Sequence, residues 1–260
     1  MPIEDSTHRD RSADLAPCRS VPTVRRALCA RFGQPVRVEG QLLGGSFIPA
    51  GVTTSYLKAP FAAVVDHLTT WRRELGHKLE QRAVPSLSSV VTALEPFEAP
   101  WTREVLFDCG EWTAYLNNGL YGGDPTACAP YLSASMAVEC CIATHSPSYG
   151  PGHAQTSLEV LGPNGTPPLM YVRSITAHAE DGRWSWRTSG EPQAFEDVER
   201  YNARRIRDRF PRSLLIEYLQ KMGISADDAG FYGHGVAISQ RVAYERRQMA
   251  AQQVREWLGW

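Results

Sequence analysis

The sequence predicts an α+β protein built on a mainly antiparallel sheet of about five to six strands, with helices packed against it and a helical C-terminal third. Two observations carry this. Between residues 103 and 189 short segments of strand-forming residues follow one another with turn signals between them, among them Cys109-Gly110-Glu111, Asn164-Gly165 and Asp181-Gly182. Such spacing is that of hairpins. Few helical patterns separate these segments, which argues against a doubly wound parallel sheet. Helical periodicity then returns after residue 195.

The elements follow in order. Residues 1 to about 20 lack apolar periodicity and read as disordered. VPTVRRALCARFG places Val24, Ala27, Leu28 and Phe32 at helical spacing before Gly33, which predicts a short helix. The glycine- and proline-rich VEGQLLGGSFIPAG reads as a connection, so residues 1–50 form an N-terminal extension and 51–260 a single domain. TTSYLKA is a strand, and Phe61, Val64, Val65, Leu68 and Trp71 then mark an amphipathic helix that stops at Gly76. PSLSSVVTALEPF is a shorter helix, with Ser86 as cap and Pro96 as stop. REVLFDC and WTAYLNN make a hairpin. NGLYGGDP enters a brief helix with Asp124 as cap and Pro125 in the first turn. The strands AVECCIAT, AQTSLEVLG, LMYVRSITAHAE and RWSWRTSG follow. The last third reads as helices over FEDVERYNARRIRDRF, PRSLLIEYLQKMGI and YERRQMAAQQVREWLGW, the second closing at Gly223.

Composition narrows function by exclusion. Lysine plus arginine (27) nearly balances aspartate plus glutamate (28), so no global field concentrates DNA or an anionic membrane. Only Lys58, Lys78 and Lys221 among the basic residues are lysine, a bias that a GC-rich genome accounts for. The polar start MPIEDSTHRDRSADLAP has no apolar signal region, and no apolar run approaches the ~18 residues of a membrane span. The reading is cytoplasmic. Six cysteines spread along the chain suit free thiols in a reducing compartment.

The stretch AVECCIATHSPSYGPGHAQ concentrates reactive residue types. On a strand Cys140 and Cys141 point to opposite faces, so they do not chelate one metal together. The chain has neither C-x-x-C nor H-x-x-x-H spacing, and neither a metal nor a cofactor is expected. As catalytic residues the candidates are Cys141, His145 and His153, with Cys109 and Cys128 as further thiols for a Cys/His-dependent hydrolase or transferase. Buried cysteine also behaves as a small hydrophobe. The loop between His145 and His153, with Tyr149, is where a surface site is sought. NGLYGGDP lacks the lysine and hydroxyl residue of a phosphate-binding loop, so it reads as helix entry. Arginines 200, 204, 205, 207 and 209 crowd residues 196–210, where RNA or a nucleotide is an alternative ligand, although interleaved acidic residues neutralise them locally. The terminal Trp257, Leu258 and Trp260 must dock on the domain or on a partner.

WTAYLNNGL and FEDVERYNARRIRDRF resemble stretches of an uncharacterised family of proteins from GC-rich bacteria. The resemblance covers residues 54 to 233. It implies a bacterial origin and an extension over the first fifty residues, and it assigns no activity or site residue. The leading expectation is therefore a non-catalytic protein-binding module, immunity- or antitoxin-like, that occludes a toxin or effector. Its contacts are sought at Trp257, Leu258, Trp260, Tyr149 and His153.

Overall fold

The computed structural model describes residues 42–43, 47–120, 128–149, 152–241 and 247–259, with backbone alone at 148 and 149. The expected helix at 22–33, the Asp124 cap with Pro125, and Trp260 lie outside these residues. Eleven strands and five α-helices are described. Nine strands form one antiparallel sheet in the order β2-β10-β4-β5-β1-β6-β7-β8-β9. Their ranges are β1 Thr53–Leu57, β2 Lys78–Val84, β4 Arg103–Cys109, β5 Trp112–Asn117, β6 Cys140–Tyr149, β7 His153–Thr166, β8 Tyr171–Glu180, β9 Arg183–Ser189 and β10 Gly235–Arg241. Two short strands, β3 (Phe97–Ala99) and β11 (Arg247–Met249), pair separately.

Helices cover both faces. α1 (Phe61–Glu74) and α3 (Ala129–Met136) bury Val64, Leu68 and Leu132 against Leu106, Tyr115 and Ile142 of the sheet. α2 (Val90–Leu94), α4 (Arg212–Lys221) and α5 (Ala251–Leu258) bury Leu94, Leu215 and Val254 with the larger core of the other face. Leu42, Leu43 and Ala50 belong to that larger core. Each fully buried leucine contributes roughly 1.5–3 kcal/mol of hydrophobic stabilisation. Local chemistry starts and stops these helices: Pro60 and Pro211 stand just ahead of α1 and α4, and Gly76, Gly223 and Gly259 take left-handed φ after α1, α4 and α5.

The expected fold needs correction in two respects. The main sheet has nine strands, not five or six, and the C-terminal third is not helical. Within this sheet the strands without an expectation are β2 and β10, which pair with each other along their full length. β2, KLEQRAV, is an edge strand whose side chains are largely exposed, so it carries charge where a half-buried strand carries alternation. β10 inserts between β2 and β4, and Gly235 permits the approach: a Cβ there would sit 2.5 Å from the Leu106 carbonyl oxygen. The stretch 195–210 is not one helix but two short 3-10 turns, Val198–Asn202 and Ile206–Asp208. Tertiary anchors override its helical periodicity, with Tyr201 packed on Trp186 at 5.0 Å between centroids and Phe210 fully buried. The final helix begins only at Ala251.

Candidate functional site

Strand register brings together residues that are far apart in sequence. On the face that α1 and α3 cover, the cross-strand row Leu57, Cys140, Leu161 is apolar and buried. The rows beyond it change character. Ser55, Ile142, Glu159, Ser174 and Ser189 are successive partners across β1, β6, β7, β8 and β9. The next row is Thr53, Thr144, Ser157, Thr176 and Arg187. A third runs Ser146, Gln155, His178 and Ser185. Because side chains alternate across a strand, all three rows project from the same face. One apolar residue interrupts fourteen positions.

This polar shelf runs from closed to open. Thr53 and Ser157 are 7% and 3% exposed, whereas Thr176 and His178 are half-buried and Arg187 is exposed. Two open hollows, of about 810 and 560 Å³, lie over β8 and β9 and share His178 and Arg187. The Gln155 amide donates to the Ser157 hydroxyl at 3.0 Å, and the Tyr171 hydroxyl donates to Glu159 at 3.2 Å. Burial pushes the Glu159 carboxyl above its usual range, and the Tyr171 hydrogen bond partly offsets this. Ser185 Oγ lies 3.0 Å from the His178 ring nitrogens. A hydroxyl beside an imidazole is half of a nucleophile–base arrangement. Among the described residues no third group is hydrogen-bonded to the ring.

The residues singled out from sequence are not gathered at one place. Cys141 is fully buried beside Tyr56 and Val160, and burial pushes its thiol upward. His145 lies four residues along the same strand and face, about 13 Å away at ~3.3 Å per residue. It is held by Thr156 Oγ1 at 3.0 Å, and burial with the nearby Arg212 pushes it down to about 4. His153 pairs with Tyr149 across the β6–β7 hairpin. Cys109 is pushed up to about 12 by burial, and the Cys128 thiol also rises. None of the described thiols is exposed. At the C-terminus Leu258 is buried in the core, whereas Trp257 is 42% exposed with the Arg247 guanidinium 4.8 Å from its ring centroid. Arginines 200, 204, 205 and 207 are exposed, and Arg209 donates to the Ala203 carbonyl.

The shelf escapes sequence reasoning because its rows exist only once register is set. Its one local signal is the alternation Ser174, Thr176, His178 and Ser185, Arg187, Ser189 on consecutive strands. Among the described residues no group of three His, Cys, Asp or Glu side chains could hold a metal ion, and no helix is long and apolar enough to cross a membrane. Compared with known protein families, with curated proteins and with solved structures, the chain matches none.

Proposed function

We propose that this chain is a non-catalytic protein-binding module that occludes a toxin or effector in the manner of an immunity protein or antitoxin. The observation that carries the reading is the polar shelf: three consecutive cross-strand rows left open over β8 and β9, on the face whose apolar cluster lies under α1 and α3. Interfaces of separable partners are about as polar as the surface at large, and they rely on a few anchors, arginine prominent among them. Arg187 and Arg183 fill that role at the rim of the hollows, with Glu180 beside them.

The test is capture by the tagged protein from the source cells at low and high salt, set beside an Arg187→Glu/Thr176→Arg variant of unchanged melting temperature. A stoichiometric protein that survives high salt, and that the variant fails to retain, supports the reading. Equal retention by the variant moves the interface elsewhere and overturns the role of the shelf. RNA eluting at moderate salt overturns the reading in favour of the exposed arginines of 196–210, whose contacts weaken steeply with salt.

A further inference from the structure

The opposite face of the sheet carries a second, chemically different recess. It is a cleft of about 610 Å³ between the ends of β1, β5, β7 and β8 and the C-terminal end of α4. Its volume lies within the range of small-molecule sites. Trp112, Val160, Val172, Phe195 and Met222 give it apolar walls. Lys58 and Lys221 stand among the lining residues, two of the three lysines in the whole chain.

The polar groups of the cleft favour one kind of ligand. Lys58 Nζ lies 5.8 Å from the Trp112 ring centroid and donates to Glu139, the one acidic residue of the lining, at 3.0 Å. Lys221 Nζ lies 3.2 Å from the Phe195 carbonyl oxygen and 2.9 Å from Glu217, which stands outside the lining. The lining therefore carries one net positive charge. Trp112 is 3% exposed as a residue, but its indole N–H is not among the buried polar atoms left without a partner and so keeps contact with solvent. That nitrogen faces the chain at Gly223, next to Met222 of the wall: a Cβ added there would lie 3.7 Å away. Because it is not shut away from solvent, this N–H is open to an acceptor oxygen that a ligand brings.

We propose that the cleft binds an organic carboxylate with an apolar body. The carboxylate takes the Trp112 N–H and the two ammonium groups, displacing Glu139 from Lys58, while the body lies on Val160, Val172, Phe195 and Met222. Both lysine side chains are 45% exposed and Glu139 is 57% exposed, so each can be exchanged without opening the core.

The experiment is calorimetric titration of the full chain with octanoate and 3-phenylpropionate, each set against its uncharged primary amide. One acid binds at a single site, and its amide binds at least about tenfold more weakly, a difference of ~1.4 kcal/mol. Lys58→Met and Lys221→Met each weaken the acid about tenfold with an unchanged melting temperature. Glu139→Gln strengthens it, because it removes the competing carboxylate. This last sign separates a bound anion from apolar adsorption. Absence of binding by both acids, equal affinity of acid and amide, or indifference to both lysine substitutions overturns the proposal. Each of these readouts is independent of whether the shelf binds a protein.

Discussion

The Arg173 guanidinium grips the Glu196 carboxylate through two hydrogen bonds, Nε to one oxygen at 2.9 Å and Nη2 to the other at 2.8 Å. Both side chains are at most 5% exposed. The same carboxylate accepts from the Tyr201 hydroxyl and the Gln193 backbone N–H, each at 2.8 Å, and Arg173 Nη1 donates to the carbonyls of Ser189 and Gly190. One ion pair thus ties the segment after β9 to the sheet. Replacing Glu196 by Gln leaves a buried guanidinium without its counter-charge, at an expected cost of about 3–5 kcal/mol. Urea unfolding measures this, and Arg173→Met/Glu196→Leu should recover part of the loss. A single-variant loss below about 1 kcal/mol would contradict the assignment.

A second expectation concerns two tyrosines. The Tyr56 hydroxyl lies 2.7 Å from that of Tyr232, which donates to the Ala226 carbonyl at 3.0 Å, so Tyr56 is the donor between them. Tyr56→Phe removes one end of the chain and costs about 1 kcal/mol. Tyr232→Phe strands both a donor and an acceptor and costs about 2–3 kcal/mol. Equal losses on denaturation would refute the polarity assigned here.

Acid should weaken the fold through His145. Its folded pKa is pushed down to about 4, first by burial and then by Arg212, whereas an unfolded histidine titrates near ~6.5. Below the unfolded value the unfolded chain takes up a proton that the folded chain refuses. Stability from this residue is therefore full above roughly pH 6.5 and is lost progressively towards pH 4, by about 3 kcal/mol in all. His145→Gln, which keeps a partner for Thr156, should flatten this part of the stability profile; an unchanged profile would locate the acid sensitivity elsewhere.

The thiols offer a chemical test. Cys109, Cys128, Cys140 and Cys141 are all buried, and burial raises each of them. Alkylation followed by peptide mass spectrometry should leave these four unmodified in the native protein at pH 8 and modify them after denaturation. Rapid native labelling of Cys141 would reopen the thiol-nucleophile reading.

How much was legible in advance follows from where each signal lives. α1 reads directly from Val64 and Leu68 at helical spacing, and the β8–β9 hairpin from Asp181-Gly182, both of which adopt the positive φ that such a turn requires. These are local instructions. The shelf is not one: Thr53, Thr144, Ser157, Thr176 and Arg187 become neighbours only through four strand pairings. β2 and β10 were illegible for a related reason, since the charges of β2 suit an open edge and β10 gains its place from strands distant in sequence. Cys141 and His145 looked like partners in a line of text, and an extended strand holds them apart.

The position of β10 bears on how the chain is made. Ribosomes deliver β2 early, yet among the described strands its partner is β10, whose last residue is Arg241. Until that point has emerged, β4 is an open margin and Lys78–Val84 has no strand to join. Premature termination before residue 235 would leave this margin unfinished on every nascent copy, a template for copy-to-copy pairing on crowded polysomes. The charges that hid β2 from sequence reasoning, Lys78, Glu80 and Arg82, guard it during that interval.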